Sequence, residues 1–280
     1  MRTIKTDEIT EAVAQLCKEA AYYLPEDVYE ALKKGRATEQ SPVGCDVLDQ
    51  IIENAEIARA EDRPYCQDTG LAIVFVEVGQ EVHIEGGLLD DAINAGVAKG
   101  YTEGYLRKSV VAEPLFNRVN TKDNTPAAIY TQLVAGDKIH ITIAPKGFGS
   151  ENKSGLEMLV PADGVEGVKA AVMRIIKHAD CNPCPPMVVG IGIGGTMDKA
   201  AYMSKKALLH RCDEHNPDPN YAKLEAELFD MINKTGIGPQ LGGTTTALAV
   251  HIEWGATHIA GLPVAVTICC HACRHASRTI

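Results

Sequence analysis

The stretch 182–196 constrains this chain more than any other. It reads Asn-Pro-Cys-Pro-Pro-Met-Val-Val-Gly-Ile-Gly-Ile-Gly-Gly-Thr, a cysteine followed by two prolines and an apolar, glycine-rich run. Because the prolines fix φ and cannot continue a helix, Cys184 is predicted to lie on a stiff corner, which suits a metal ligand. The run 187–193 is predicted to be a short buried strand whose glycines let another group approach the backbone closely.

The formal net charge of -10 over 280 residues argues against a nucleic acid or an anionic membrane as partner, because both attract clustered lysine and arginine. Hydrophobic residues make up 45% of the chain and charged residues 23%, which is ordinary globular composition. The N-terminal residues lack the apolar region of a secretory signal, and no apolar run approaches the roughly 20 residues of a membrane span. We therefore expect a soluble, cytoplasmic protein.

Hydrophobic periodicity predicts a mixed α/β (α+β) fold, with a helical N-terminal layer and mostly antiparallel or mixed sheets covered by helices. Two helices are predicted over 7–34, and a longer one begins at Ser41-Pro42. The alternating segments 127–134 and 138–144 are predicted to pair as an antiparallel hairpin around the turn between them. We expect one domain over 1–280, with two lobes that divide near 145–185.

The nine cysteines are unevenly spaced and odd in number, so a disulfide framework is not expected, and metal binding, catalysis or simple burial remain. Cys66, Cys184 and Cys270 share one predicted setting, a loop at the end of a buried strand beside glycine, proline or polar residues. Three dispersed thiolates suit a four-iron four-sulfur (4Fe-4S) cluster whose fourth iron stays open as a Lewis acid.

Three further segments carry polar groups suited to a site. The run 66–70 places a thiol, an amide, a carboxylate and a hydroxyl together on one predicted loop, although an ordinary turn beside a buried cysteine explains it equally well. Arg107 and the lysine after it are suited to clamp a carboxylate, and a solvated helix face is the alternative. The loop 145–154 combines two glycines with two lysines, as anion binding needs, but it is not a P-loop.

Two readings from other functional classes also arise from the sequence. Gly190, Gly192 and Gly195 form a Gly-x-Gly-x-x-Gly pattern, which favours a dinucleotide-binding module that uses Gly190 to Gly195; only 187–189 is left as the strand before it. Cys181 and Cys184 form one Cys-x-x-Cys, half of a zinc site, which leaves a non-enzymatic zinc protein as the third reading.

Four motifs occur in order along the chain. They are 66–70 (Cys-Gln-Asp-Thr-Gly), 146–152 (Lys-Gly-Phe-Gly-Ser-Glu-Asn), 184–186 (Cys-Pro-Pro) followed by the glycines up to 195, and 270–272 (Cys-His-Ala) with Arg274. Together they resemble the alpha subunit, or N-terminal domain, of class I iron-sulfur fumarate hydratases and the related tartrate dehydratases. The resemblance covers nearly the whole chain and is far more specific than any one motif.

The resemblance implies that Cys66, Cys184 and Cys270 ligate a 4Fe-4S cluster. It selects Cys184 over Cys181 because the prolines follow Cys184, and it selects Cys270 over Cys269 because His-Ala follows Cys270. The other implied site residues are Gln67, Asp68, Arg107, Gly147, Gly149 and His258. Among them, Asp68 and His258 are expected to tune or relay protons, Gln67 and Asp68 to face the substrate, and Arg107 to clamp a carboxylate.

The implied function is the alpha subunit of a two-subunit class I fumarase of the TCA cycle, which hydrates fumarate reversibly to (S)-malate. The alternative within the family is the alpha subunit of L-tartrate dehydratase. In this family the open iron binds the C2 hydroxyl and an adjacent carboxylate while a base removes a C3 proton. The base and further basic residues are expected on a separate beta subunit, in an alpha2beta2 heterotetramer that binds a small dicarboxylate.

Overall fold

The computed structural model describes residues 2–280, which divide into two compact units. Unit 1 contains the segment that ends at Pro25, together with Glu56–Phe148 and Arg274–Ile280. Unit 2 contains Glu26–Ala55 and Gly149–Cys273. Helices and mixed sheets build both units, so the prediction of a mixed α/β fold is confirmed. Among residues 2–280, no helix is both long and apolar enough to cross a membrane.

The two helices predicted over 7–34 and the longer one predicted from Ser41-Pro42 are confirmed as the first three helices of the chain, whereas a short helix forms in the predicted loop 145–154. The helices are α1 (Thr6–Tyr22), α2 (Glu26–Thr38), α3 (Pro42–Ala60), α4 (Leu89–Glu103), α5 (Phe148–Glu151), α6 (Gly164–Ala179), α7 (Met197–Ala207) and α8 (Pro219–Asn233), with a 3-10 turn at Pro161–Asp163. In unit 1, α1 buries a helical stripe that includes Ile9, Val13 and Leu16 and packs against α4. In unit 2, α2 and α8 both pack against the sheet of that unit.

The strands form one small sheet and two four-stranded sheets. They are β1 (Arg2–Lys5), β2 (Leu71–Gly79), β3 (Val82–Glu85), β4 (Ala128–Val134), β5 (Ile139–Lys146), β6 (Gly155–Leu159), β7 (Met187–Gly194), β8 (Ala247–Gly255), β9 (Leu262–Cys269) and β10 (Ala276–Thr279). In unit 1, β1 pairs with β3, and the larger sheet has the order β10-β5-β2-β4. The sheet of unit 2 has the order β6-β9-β7-β8.

The two four-stranded sheets share one pattern. In each, a central strand (β2 or β7) is parallel to one edge strand (β4 or β8) and antiparallel to the other central strand (β5 or β9). The remaining edge strand (β10 or β6) is antiparallel to that second central strand. Both sheets are therefore mixed.

The predicted hairpin between β4 and β5 is wrong, because β2 lies between these two strands. The turn that joins β4 to β5 closes around the end of β2, where the Gly79 N–H donates to the Lys138 carbonyl at 2.8 Å and the Glu81 N–H to the Gly136 carbonyl at 2.9 Å. A Cβ on Gly79 would lie 2.4 Å from the Gly136 carbonyl oxygen, so the turn fits only over glycine. Alternation predicted the strands correctly but not their partners.

Strand β7 is the buried strand that the apolar run predicts, and every residue in it is buried. Its glycines allow α7 to pack directly on the strand: a Cβ on Gly190 would lie 2.2 Å from the Ser204 carbonyl oxygen, and one on Gly192 would lie 2.0 Å from that of Ala200. The Gly-x-Gly-x-x-Gly pattern therefore starts inside a strand, whereas a dinucleotide fingerprint forms the turn that follows one. The pattern serves helix packing in unit 2.

Glu39, just after α2, holds the segment that leads into β8. Glu39 is 9% exposed, and its carboxylate accepts hydrogen bonds from the backbone N–H groups of Ser41, Thr244 and Thr245 at 2.8 to 3.0 Å. Burial alone would raise the pKa of Glu39, but the donors outweigh it and lower the pKa from 4.5 to about 2. An ionised carboxylate thus fixes the entry of β8.

Replacing Glu39 by Gln should lower the free energy of unfolding at pH 7 by about 1 to 3 kcal/mol, because the backbone donors lose a charged acceptor. Because the pKa is lower in the folded state, this stability is complete above pH 4.5 and disappears as the pH falls toward 2. Urea unfolding at pH 7 and pH 3 measures it, with the exposed Glu53→Gln on α3 as control. An equal loss in both variants, or a loss that does not shrink at pH 3, would contradict the assignment.

Candidate active site

One end of the large sheet in unit 1 collects three segments that are distant in the sequence. Strand β5 ends there, strand β2 begins there opposite it, with Leu71 paired to Lys146, and β10 begins nearby, with Ala276 paired to Ile143. Three segments therefore meet at this end of the sheet: the loop before β2, the residues after β5, and Arg274. The 66–70 motif lies at this end.

Two backbone N–H groups donate hydrogen bonds to the Asp68 carboxylate and fix it at this end of the sheet. One carboxylate oxygen accepts from the Gly70 N–H at 2.7 Å, and the other accepts from the Phe148 N–H at 3.0 Å. A Cβ on Gly147 would lie 3.2 Å from the second oxygen, so glycine leaves room beside the carboxylate. The structure thus brings Asp68 and Gly147, both predicted site residues, into direct proximity.

The backbone of the same loop is held from behind by buried groups. The Tyr101 hydroxyl donates to the Thr69 carbonyl at 2.6 Å, and burial raises its pKa, so it remains a donor. The Asn124 amide donates to the Gly70 carbonyl at 3.1 Å and accepts from the Ser109 N–H at 2.7 Å. The loop is therefore rigid on its buried side.

Arg107 and Gln67 are the exposed polar residues closest to Asp68 that the sequence predicts for the site: Gln67 precedes Asp68, and Arg107 contacts the next residue of the loop. The Thr69 hydroxyl donates to the Arg107 carbonyl at 3.1 Å, which places the Arg107 backbone next to the Asp68 loop. The Arg107 and Gln67 side chains are both exposed, whereas Asp68 is half-buried. Unit 1 thus combines an exposed guanidinium, an amide and an oriented carboxylate, a set suited to a small carboxylic acid.

One end of the sheet in unit 2 carries two of the three predicted cluster ligands. Cys184 precedes β7 and Cys270 follows β9; these strands are antiparallel, with Val188 paired to Cys269. The His271 N–H donates to the Cys184 carbonyl at 3.2 Å, so the two cysteine loops touch. Cys184 has φ of 54°, an uncommon value for a residue other than glycine, and such backbone strain concentrates at functional sites.

The donor set fits an iron-sulfur cluster, because its thiols are accessible and soft. Cys184 is exposed, and Cys66 and Cys270 are half-buried. Burial instead raises the pKa of Cys17 to about 12 and also raises the pKa of Cys212, which disfavours the thiolate that metals bind. Unit 1 provides one accessible thiol and unit 2 provides two, and in neither unit do three His, Cys, Asp or Glu side chains of residues 2–280 already form a metal site.

Gly149 and His258 are the two remaining predicted site residues of unit 2, and both are exposed. Gly149 is exposed, and a Cβ there would have only the Asn182 carbonyl nearby, at 3.9 Å. His258 is exposed in the loop between β8 and β9, at the end of the sheet opposite Cys184 and Cys270. Eight strand residues separate the two ends, which is about 25 Å. Unit 2 by itself therefore does not bring His258 to the two cysteines, and its role stays a prediction.

Arg274, Tyr101 and Asn124 support the Asp68 loop but were not predicted as site residues. Arg274 stood in the Cys-His-Ala motif, which was a usable signal; its guanidinium donates to the Asp68 carbonyl. Tyr101 lies in an ordinary amphipathic helix, and Asn124 in a polar, turn-rich segment. Neither of these two positions carried a sequence signal.

Comparison with known proteins matches residues 10–279 to the family described as "Fumarate hydratase (Fumerase)". A protein of Methanocaldococcus jannaschii named "Putative L(+)-tartrate dehydratase subunit alpha" is 44% identical over 280 residues, covering 98% of both chains. The "L(+)-tartrate dehydratase subunit alpha" of Escherichia coli K12 is 33% identical over 273 residues, covering 96% of this chain and 89% of the relative. The protein of the same name from Shigella sonnei is also 33% identical.

Proposed function

Since the chain belongs to the fumarate hydratase (Fumerase) family, we propose that it is the alpha subunit of a hydro-lyase that adds water to, and removes water from, a four-carbon dicarboxylate. The main support for the proposal lies at the end of the four-stranded sheet in unit 1. There the Gly70 and Phe148 N–H groups orient the Asp68 carboxylate beside Gly147. The Arg107 carbonyl accepts a hydrogen bond from Thr69 of the Asp68 loop, and the exposed Arg107 guanidinium supplies the positive charge that a carboxylate substrate needs.

The cofactor of the proposal is a 4Fe-4S cluster held by Cys66, Cys184 and Cys270. When bound, such a cluster supplies an open iron that polarises the C–O bond to be broken. The accessible thiols and the contact between the Cys184 and Cys270 loops support this ligand set.

The remaining steps fall to side chains of this chain and its partner. Arg107 binds one substrate carboxylate, and the exposed Gln67, next to Asp68 in the chain, hydrogen-bonds the substrate. Asp68 keeps a fixed direction because each of its oxygens accepts one backbone N–H, and it relays a proton between the substrate and the site. The base that removes the C3 proton is placed on the beta subunit.

Two substrates fit this chemistry. Fumarate and (S)-malate, which differ by one water, are the first candidate. L(+)-tartrate is the second and is favoured by the names of the relatives; it carries one more hydroxyl than malate and gives oxaloacetate and water. The two candidates differ in whether the site accepts a hydroxyl at C3.

The substrate is determined by purifying the chain with its partner under anaerobic conditions and assaying both reactions. Fumarate formation from malate is followed by ultraviolet absorbance, and oxaloacetate formation from tartrate by coupled reduction. Turnover of either substrate supports a dicarboxylate hydro-lyase, and the larger kcat/KM identifies which one. No turnover of either by a cluster-loaded complex would overturn the proposal.

Replacing Arg107 by Lys should lower kcat/KM roughly 10-fold to 150-fold while the cluster remains intact. The bidentate fork is lost, and a hydrogen bond to a charged group contributes about 1.5 to 3 kcal/mol. Arg118→Lys, the same substitution at an exposed arginine of unit 1 that donates to the Pro114 carbonyl, is the matched control and should change kcat/KM much less. Kinetics equal to those of the unmodified enzyme would make Arg107 an ordinary surface residue.

A further inference from the structure

Arg274 is a buried cation whose hydrogen bonding is incomplete. Arg274 is 4% exposed, and its terminal nitrogen Nη2 donates a hydrogen bond to the Asp68 carbonyl. Its Nε and Nη1 atoms are buried and have no hydrogen-bond partner among residues 2–280. A guanidinium with five N–H donors thus makes one hydrogen bond among residues 2–280, and its acceptor lies in the Asp68 loop.

This arrangement is unfavourable for stability alone. Burying a charge with unsatisfied donors costs free energy, and an apolar side chain of similar length fills such a position at lower cost. Unsatisfied buried groups in native proteins concentrate where function needs them. The position of Arg274 therefore points to a role at the Asp68 loop beyond packing.

The sheet holds Arg274 and Asp68 on the same rigid support. Arg274 stands two residues before β10, and Asp68 stands three residues before β2. Both strands pair with β5, on its two opposite sides, and both begin at the end where β5 terminates. The distance between the guanidinium and the loop is therefore set by strand pairing rather than by a flexible connection.

We propose that Arg274 is a positioning residue of the Asp68 loop, through its bond to the Asp68 carbonyl. This inference rests on the proposed function of the site. Fixing that carbonyl fixes the peptide plane between Asp68 and Thr69, which adjoins the Asp68 side chain. The Tyr101 hydroxyl fixes the next carbonyl, that of Thr69, whose peptide plane contains the Gly70 N–H that donates to the Asp68 carboxylate. The buried positive charge of Arg274 also stands behind a site that handles anions.

The test compares Arg274→Met and Arg274→Lys with a matched control, Arg278→Met. Arg278 lies in β10 and pairs with Glu19 at 2.9 Å, away from the Asp68 loop, so the control removes an arginine from the same segment. The first readout is amide hydrogen exchange of a peptide covering 66–70 in the chain before cluster loading, with peptides from unit 2 as the internal fold control.

Arg274→Met should speed exchange in this peptide roughly 10-fold to 150-fold, the effect of losing a bond that involves a charged group. Arg274→Lys should recover part of the protection, because lysine keeps the charge and one donor. Arg278→Met should leave the peptide unchanged. Unchanged exchange in a folded Arg274→Met variant would overturn the proposal. If that variant does not fold, Arg274→Lys against the unmodified chain decides, and equal protection would overturn it.

The second readout is the steady-state kinetics of the loaded complex. A positioning role predicts that Arg274→Met lowers kcat roughly 10-fold or more with KM little changed, and that Arg274→Lys restores part of kcat. Equal losses in Arg274→Met and Arg278→Met would contradict it. Absence of turnover in the unmodified complex would overturn the proposed function instead, while the exchange data would still decide the role of Arg274.

Discussion

Serine in place of Cys66, Cys184 or Cys270 is expected to abolish the visible absorbance of the chain after anaerobic reconstitution with iron and sulfide. A serine hydroxyl does not replace a soft thiolate as a cluster ligand, and each of the three thiols is proposed to hold one iron. Absorbance in the thiolate-to-iron region and bound iron per chain measure the loss. Activity should disappear with it, but absorbance alone decides the assignment.

Cys181→Ser is the sharpest control for this experiment. Cys181 is exposed and lies in the same turn as Cys184, whose N–H donates to the Cys181 carbonyl at 3.2 Å. Cys45→Ser, a half-buried thiol on α3, controls for Cys66. Both controls should keep the cluster. A cluster that survives Cys184→Ser and is lost in Cys181→Ser would transfer the ligand role to Cys181.

The chain alone, even with its cluster loaded, is expected to turn over neither malate nor tartrate. Similar proteins are named as alpha subunits, which implies a second subunit. The net charge of -10 opposes a dianionic substrate, and the proposed base is not on this chain. Assays of the reconstituted chain with and without the co-expressed beta subunit measure the dependence.

Light scattering of the complex in the same experiment should give the mass of two alpha and two beta chains. A loaded chain that reaches the same kcat without its partner would disprove a divided active site. A complex that forms but adds no activity would place the missing groups elsewhere.

Local sequence patterns predicted the longer elements of this fold, but not the short strands β1, β6 and β10. The apolar run after Cys184 is β7, and the stripe through Ile9, Val13 and Leu16 is the buried face of α1. Strand partners were beyond these patterns: β4 and β5 are separated by β2 because a turn closes over Gly79, a contact between segments more than 50 residues apart. Alternation along a strand states which face is buried, and it does not identify the neighbouring strand.

The site shows the same division between local and distant information. The motif 66–70 indicated Asp68, and the glycine loop indicated Gly147; the structure places these two residues side by side. The bond from Arg274 to Asp68 joins positions about 200 residues apart and depends on β2 and β10 flanking β5. Position along the chain also failed to predict that His258 and Cys270 lie at opposite ends of one sheet.

The division of the chain into interleaved segments has a consequence for biosynthesis. Unit 1 includes Arg274–Ile280, which the ribosome makes only after all of Gly149–Cys273 in unit 2. Strand β10 therefore pairs with β5 late in synthesis. Arg274 is also made after Cys66, Cys184 and Cys270. Until β10 pairs, the β5 edge stays open on nascent chains. The Asp68 loop therefore gains its hydrogen bond from Arg274 only after the whole of Gly149–Cys273 has been made.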